Sequence, residues 1–442
     1  MSVKSDLYGQ FDRLHRAIFK QSSFRKNAAT LLAGNSLGYA ILLVALPVIT
    51  RLYTPSDYAV LSIFTAAVAL IQPFASIRFE WCIPNAKSER EANTVTVLAL
   101  SSVVAFTLIT TPTFALIGHS YPENYWIRQL GGFAWLLPIG ISLACLLDIL
   151  NAWTIRIRDL KPQAQAIVCQ NSSGSLVQIT GGLLQGHALW LICGFCTNKA
   201  IGSLVLIRHL RTNIELRPIQ PFRYLRAVAR RHARMATTSS LVSSVNSLSL
   251  NLPIFIFASF YGATQSGLIA IALRIGAIIP LTIGRALSQS FWAEAAALVK
   301  ENPQKLRQLY RSTTLKLGIL SIPVGAACLL APHYISYILG GDRWAQVGVM
   351  LMALTPMIMS RITFAQLSHL VVHERQHWQL YWDTLRACSI AALLVYAAQS
   401  DWPAVQAVIA LASLATAMNL ILFILNSGAI HLSIKQSKRN EL

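Results

Sequence analysis

The chain has 442 residues, 54% of them hydrophobic and only 12% charged, and its mean hydropathy is +0.51. The charged share is about half that of a typical soluble domain, which excludes a soluble enzyme and places the expected function in a path through the bilayer. A net charge of +20 is compatible with nucleic-acid binding, but the positions of the basic residues argue against that partner.

A transmembrane helix needs about 20 mostly apolar residues, and many stretches of the chain reach that length. We therefore predict an all-α integral membrane protein with about twelve transmembrane helices. The fifth stretch is unusual because it is rich in Gln and Ser. In chain order the stretches are Leu31–Thr50, Tyr58–Ile77, Thr94–Gly118, Leu130–Leu150, Ala164–Leu184, Ala188–Ile207, Met235–Phe260, Gly267–Leu287, Leu315–Ser336, Val347–Val372, Tyr381–Ala398 and Val405–Leu425.

The basic residues lie on alternate sides of these predicted helices. Most of the 37 Lys and Arg residues fall in the terminal segments and in the loops after even-numbered helices. The other loops hold only Arg51, Arg128 and Arg343. This asymmetry is typical of the excess of positive charge in cytoplasmic loops. It predicts that both termini are cytoplasmic, and it makes contact with anionic membrane lipids a secondary expectation.

Residues 1–28 contain no apolar core followed by a cleavage site, so they do not resemble a secretory signal. Leu7, Phe11, Leu14 and Ile18 share one face of a predicted helix, and basic residues lie off that face. This pattern is typical of an amphipathic helix at a membrane surface. We predict a cytoplasmic amphipathic N-terminal segment.

A basic stretch in the middle of the chain divides the predicted helices into two sets of six. We assign a bundle to 29–208, a basic cytoplasmic linker to 209–234, a second bundle to 235–427 and a cytoplasmic tail to 428–442. The first four helices of each set contain a proline, which can bend a membrane helix. A matching pattern of bends predicts two similar bundles, related as parallel repeats. These prolines are Pro47, Pro73, Pro112 and Pro138, then Pro253, Pro280, Pro323 and Pro356.

Helix 7 carries an unusual series of polar residues at intervals of three and four, which places them on one face. Two interpretations remain open: a wall of a water-lined cavity, or a helix–helix interface of small hydroxyl residues. Asn246, Ser243 and Ser249 broaden the stripe, which favours the cavity. The candidate cavity residues are Ser240, Ser244, Ser247 and Asn251.

Basic residues outnumber acids within the predicted spans. Arg274 and Arg285 are close to three turns apart on helix 8 and point the same way. Arginine at bilayer depth is costly unless it faces a cavity or a partner, so these residues, Lys199 and Arg361 are candidates for a substrate site. Asp383 lies three residues before Arg386, which predicts a local ion pair there. The charge imbalance favours an anionic substrate such as a phosphate or pyrophosphate group.

The sequence contains no motif for a catalytic site or a cofactor, and we predict neither. His369, His373 and His377 recur every fourth residue, a spacing that can bind metal, but an interfacial polar face is the more common meaning at a membrane boundary. Cys193 and Cys196 lie inside helix 6 and are interpreted as packing residues, not as a redox or metal pair.

Several segments resemble bacterial polysaccharide-export flippases, the Wzx-like branch of the MATE-like multidrug/oligosaccharidyl-lipid/polysaccharide (MOP) superfamily. The segment from Arg51 to Tyr58 predicts a short loop and a helix start, with Thr54 as N-cap and Asp57 in a capping box. It resembles the start of helix 2 in that family. The remaining similarity lies in Arg78-Phe79-Glu80, in Gly267 to Arg274 and in Gly340-Gly341-Asp342-Arg343-Trp344.

The resemblance implies a protein that moves undecaprenyl-pyrophosphate-linked oligosaccharide repeat units across the bacterial inner membrane by alternating access through a cationic central cavity. It also implies a polysaccharide polymerase and a chain-length regulator as partners. Two alternatives stay open. A drug or cation antiporter of the same superfamily would need a buried carboxylate, and Leu31–Thr50 has none. A polymerase or ligase would need a large outer loop, whereas the predicted outer loops are short.

Overall fold

The computed structural model describes helices throughout. Those of the first part of the chain are α1 (Ala33–Leu52), α2 (Pro55–Ala75), α3 (Glu89–Ser120), α4 (Leu137–Ile157), α5 (Lys161–Leu184) and α6 (Ala188–Leu210). Short 3₁₀ segments, Phe79–Cys82 and Gly131–Leu136, precede α3 and α4. The described residues are 30–31, 33–120, 130–211, 221–278, 280, 291, 303–364 and 376–440.

The second part of the chain repeats this all-helical pattern. A π-helical turn, Phe257–Tyr261, joins α7 to α8, and a 3₁₀ segment, Asp342–Trp344, precedes α11. The described residues contain no strand. The helices are α7 (Phe222–Ile256), α8 (262–278), α9 (Pro303–Leu329), α10 (Ala331–Leu339), α11 (Ala345–Thr363), α12 (Gln376–Gln399) and α13 (Ala404–Asn440).

Nine of the described segments are long and apolar enough to span a membrane. One of them, Phe222–Ile278, has 57 residues, which would make it about 85 Å long as a single helix, far more than the bilayer core of about 30 Å. Gly262, with φ of 84°, interrupts it, so α7 and α8 are separate crossings. The amide-rich α5 and α12 fall outside the nine.

Where the structure describes them, the predicted spans agree with the helices, with differences at a few boundaries. The ends of the predicted eighth and tenth helices and the predicted N-terminal segment 1–28 lie outside the described residues. Thr54 caps α2 and forms the predicted capping box with Asp57. The predicted end of the ninth helix is wrong, because α9 ends at Leu329 and a new helix, α10, begins at Ala331. Pro332 lies in the first turn of α10, where a backbone N–H has no partner within the helix, so proline is tolerated there. Pro138 likewise begins α4 and does not lie in a helix interior.

Two segments predicted to be linker and tail are continuous with helices. The helix α7 begins at Phe222, inside the predicted basic linker, and α13 runs on to Asn440. The basic start of α7 packs on α3, where the Glu91 carboxylate contacts His232 Nε2 at 3.0 Å and Arg231 at 3.3 Å. These contacts join the basic start of α7 to α3. The division into two bundles of six helices stays a prediction.

At one end of the bundle, the last turn of α1 is held by the segment before α11. We call these contacts the latch. The Arg343 guanidinium donates to the carbonyl oxygens of Thr50 at 3.1 Å and Arg51 at 2.7 Å, and the Trp344 indole N–H donates to Thr50 at 2.9 Å. The last four carbonyls of a helix have no partner within it, and cations are favoured at that end. The latch therefore caps α1 from a distant part of the chain.

Close backbone approach completes the latch. A side chain at Gly267 in α8 would collide with the Pro55 carbonyl at the start of α2, and the hydroxyls of Ser56 and Thr264 lie 3.4 Å apart. Trp344 is fully buried, and its ring meets that of Tyr58 edge-on at 5.7 Å. The first two helices are thus closed against α8 and the α10–α11 connection at this end of the molecule.

Candidate functional site

A cavity of about 490 Å³ lies between α1, α2, α5 and α6 on one side and α7, α8 and α11 on the other. Its volume is within the range of small-molecule sites. Its charged lining residues are Lys199, Arg274 and Arg361, and no carboxylate is among the described residues that line it. The cavity is therefore cationic, and its positive groups come from both parts of the chain.

The structure brings three of the four predicted basic residues together in this cavity. Arg274 projects from α8, Arg361 from the last turn of α11 and Lys199 from α6. Neither guanidinium has a hydrogen-bond or ion-pair partner among the described residues, whereas the Lys199 ammonium lies 5.4 Å from the centre of the Phe195 ring. Arg285 lies outside the described residues, as do His369 and His373. A role in substrate binding stays a prediction for all four basic residues.

In the polar stripe of α7, some residues line the cavity and others lie at a helix–helix interface. Asn251 lines the cavity and donates its amide to the Ser247 carbonyl at 2.8 Å. Ser240 is buried against α2, where its hydroxyl donates to the Pro73 carbonyl at 2.6 Å, so it packs two helices together. Ser244 is buried, and neither it nor Ser247 is among the described residues that line the cavity. Only the end of the stripe near Asn251 reaches the cavity.

The broadened face of α7 contacts α12 and not the cavity. Arg386 donates to Ser249 Oγ at 2.5 Å and to Asn246 Oδ1 at 2.9 Å, and its ion pair with Asp383 measures 3.0 Å. Its guanidinium also lies 4.3 Å from the centre of the Trp382 ring. The predicted Asp383–Arg386 pair is confirmed, and Arg386 accounts for two of the additional polar residues of α7, Asn246 and Ser249, as its partners.

Replacing Arg386 with methionine is expected to destabilise the protein by about 3–5 kcal/mol, because it leaves the buried Asp383 carboxylate without its cation. Thermal unfolding in detergent, followed by tryptophan fluorescence, measures the loss. The double variant Arg386→Met, Asp383→Asn is expected to recover most of the lost stability. The control Arg307→Met, at an exposed position of α9, is expected to change the stability little. Equal melting of Arg386→Met and the unsubstituted protein would contradict the role given to the pair.

The acids of the first helices are also paired. Arg78 has a left-handed backbone with φ of 54°, and its guanidinium contacts Glu80 at 3.1 Å and Asp148 at 3.4 Å. The Gln72 amide donates to the same Asp148 carboxylate at 2.8 Å. Arg78 and Glu80, noted in the sequence as a motif, thus form an ion pair at the end of α2. These carboxylates are not among the residues that line the cavity.

The polar wall formed by α5 and α6 is a part of the cavity that the sequence reasoning missed. The amide of Asn198 donates to Asn171 Oδ1 at 3.0 Å, and the amide of Gln178 donates to the Leu191 carbonyl at 3.1 Å. Ser175 also lines the cavity, and its buried hydroxyl has no partner among the described residues. The signal was present in the sequence, since α5 is the stretch rich in Gln and Ser.

The chain matches one protein family over most of its length. The model of that family, described as a polysaccharide biosynthesis protein, matches residues 48–349. The chain belongs to this polysaccharide biosynthesis family. None of the curated proteins matches the chain.

Solved structures similar to this polysaccharide biosynthesis protein are transporters of the MATE family. An inward-facing multidrug resistance MATE family transporter of the MOP superfamily has a TM-score of 0.69 at 15% identity, covering 93% of this chain and 100% of that one. An outward-facing MATE structure scores 0.55 at 15% identity, covering 93% and 96%. A eukaryotic MATE transporter scores 0.66 at 13% identity, covering 95% and 99%.

At these identities the similarity establishes the fold. Together with its apolar helices, the fold makes this member of the polysaccharide biosynthesis family a multi-pass membrane protein. The predicted fold class is confirmed.

Proposed function

We propose that this protein is a flippase that moves undecaprenyl-pyrophosphate-linked oligosaccharide repeat units across the bacterial inner membrane for surface polysaccharide biosynthesis. The observation that carries the proposal is the pair of arginines, Arg274 and Arg361, in a cavity whose described lining has no carboxylate. Unpaired cations at membrane depth are costly. A pyrophosphate would supply the missing negative charge and accept bidentate hydrogen bonds from the guanidinium groups.

The position of the cavity supports alternating access. Its lining comes from α1, α2, α5 and α6 and from α7, α8 and α11, so a bound pyrophosphate would contact both parts of the chain at once. Rocking of the two parts around a fixed site is the usual motion of transporters built from repeats. The polyprenyl tail would remain in the lipid while the sugars and the pyrophosphate cross through the cavity.

The latch gives this motion a defined closed end. The loop charges predict that both termini are cytoplasmic and that the α1–α2 turn faces outward, so a closed latch corresponds to a cavity shut on the outer side. The higher TM-score against the inward-facing than against the outward-facing MATE structure supports this assignment. In this proposal the described conformation is the one that receives cargo from the cytoplasmic leaflet. Membrane lipids, a polysaccharide polymerase and a chain-length regulator would be its partners.

The alternative is a drug or cation antiporter, because the similar structures are multidrug MATE transporters. An organic cation would be repelled by Lys199, Arg274 and Arg361. The carboxylates of Asp148 and Asp383 are engaged by Arg78 and Arg386. The charge of the cavity therefore favours the anionic cargo.

Deletion of the gene in the native bacterium, followed by mass spectrometry of the membrane lipids, tests the proposal. We expect loss of surface polysaccharide and accumulation of one undecaprenyl-pyrophosphate-linked oligosaccharide in the inner leaflet. The same extract identifies the sugar unit. An unchanged lipid profile, together with impaired sodium- or proton-coupled export of organic cations, would contradict the flippase and favour the antiporter.

A further inference from the structure

We propose that the polar wall of α5 and α6 reads the sugar part of the cargo, with Ser175 and Asn198 as residues that determine which glycan is accepted. This inference rests on the proposed function and assigns separate parts of one cavity to the two chemical parts of the cargo. The uncharged wall takes the sugar hydroxyl and acetamido groups, and the arginines take the pyrophosphate.

The distribution of polar groups around the cavity carries the first step. The uncharged polar groups that line it come mainly from the first part of the chain, which also adds the cation Lys199, whereas Arg274 and Arg361 come from α8 and α11. Neutral sugars are recognised by groups that both donate and accept hydrogen bonds, such as amides and hydroxyls. The uncharged set of the first part is Ser62, Thr65, Asn171, Ser175, Gln178 and Asn198.

The hydrogen bonds of the wall leave capacity for a ligand. An asparagine amide has two donors and one acceptor with two lone pairs. The contact from Asn198 to Asn171, at 3.0 Å, uses one donor and one acceptor site of the pair. The Gln178 amide donates to a backbone carbonyl of α6, which holds α5 and α6 together. The pair Asn171–Asn198 is thus held in place and still able to bind.

Among the residues of the wall, Ser175 gives the most specific indication of a ligand. It is 5% exposed and lines the cavity, and its hydroxyl has no hydrogen-bond partner among the described residues. Most buried polar side chains have a partner, and a buried one without a partner lowers stability. A sugar hydroxyl in the cavity would supply that partner.

The backbones of α5 and α6 pack closely at the wall. A side chain at Gly174 would meet the Gly194 carbonyl at 2.9 Å, and one at Gly194 would meet Gln178. The two glycines let α5 and α6 approach closely, so the wall is preorganised on two packed helices. A preorganised array of hydrogen-bonding groups discriminates between ligands better than a mobile one.

Binding to the purified protein in lipid nanodiscs tests the inference with two probes. One is the lipid-linked intermediate purified from the deletion strain, and the other is undecaprenyl pyrophosphate without sugar. We expect the unsubstituted protein to bind the glycan-bearing lipid more tightly. Ser175→Ala and Asn198→Ala should each lower the affinity for the glycan-bearing lipid by about threefold to tenfold, the usual effect of losing one hydrogen bond. Neither substitution should change the affinity for undecaprenyl pyrophosphate.

Stability and control variants separate recognition from folding. Ser175→Ala removes no hydrogen bond within the described structure, so its melting temperature should equal or exceed that of the unsubstituted protein. Ser172→Ala, at an exposed position three residues away on α5, should leave both affinities unchanged. Arg361→Ala should lower the affinity for both probes.

The outcomes distinguish the two proposals. If the unsubstituted protein binds both probes equally, or if Ser175→Ala and Asn198→Ala keep the full preference for the glycan, the wall does not read the sugar and this inference is overturned while the flippase stands. If the unsubstituted protein binds neither probe, the proposed function itself fails.

Discussion

Arg274→Ala is expected to abolish surface polysaccharide in a deletion strain while the protein remains at normal abundance. Arg274 is half-buried in the cavity wall and has no hydrogen-bond or ion-pair partner among the described residues. Its removal therefore breaks no internal contact that stabilises the fold, yet it takes away one of the two guanidinium groups available to a pyrophosphate. Surface polysaccharide is measured on cells, and abundance by immunoblot of membranes.

Two further variants make the Arg274 result specific. Arg274→Lys keeps the charge but not the planar pair of donors, so partial export is expected. Arg311→Ala removes a basic residue at an exposed position of α9 and should complement fully. Full complementation by Arg274→Ala would remove this residue from the substrate site.

The helices and their starts follow from local sequence, which explains why they could be predicted. Apolar stretches of sufficient length need no partner to be recognised, because the bilayer forces their backbones into helices. The capping box at Thr54 and Asp57 is equally local. The break between α9 and α10 was missed although Pro332 marked it, because a proline inside a membrane helix is tolerated and does not always end it.

The composition of the cavity wall depends on packing, and the sequence could give only part of it. Ser240 and Asn251 lie on one stripe of α7, but the Pro73 carbonyl of α2 meets the first and the cavity meets the second. Nothing within α7 encodes that difference. The intramembrane cations were found because charge at depth is rare. Asn171 and Asn198 were passed over because amides are common both in packing seams and in binding sites.

The latch likewise depends on packing between distant segments, which the sequence alone did not predict. Three of the motif segments, Arg51 to Tyr58, Gly267 to Arg274 and Gly340 to Trp344, are far apart in sequence and have residues that meet at one end of the molecule. Tyr58 packs on Trp344 within the latch.

Linking the two sides of the latch by a disulfide is expected to stop transport reversibly. The hydroxyls of Ser56 and Thr264 are 3.4 Å apart, so thiols from Ser56→Cys and Thr264→Cys come within reach of a bond. If the latch faces the oxidising outer compartment, the bond forms in cells. Surface polysaccharide should then disappear and return on addition of a reductant. Each single variant should export normally, and full export by the oxidised double variant would show that the latch need not open.

Gly267→Ala should have the opposite effect on the latch and prevent it from closing. The added methyl group would collide with the Pro55 carbonyl, and because that atom belongs to the backbone of a neighbouring helix, relief requires the two helices to separate. The latch should therefore stay open and export should fall strongly. Gly428→Ala, where the structure leaves open space, is the matched control. In a variant whose seven native cysteines are replaced, the reaction of Thr264→Cys with an impermeant thiol reagent should become faster when Gly267→Ala is added. An unchanged reaction rate would mean that the latch still closes and that Gly267 does not govern its opening.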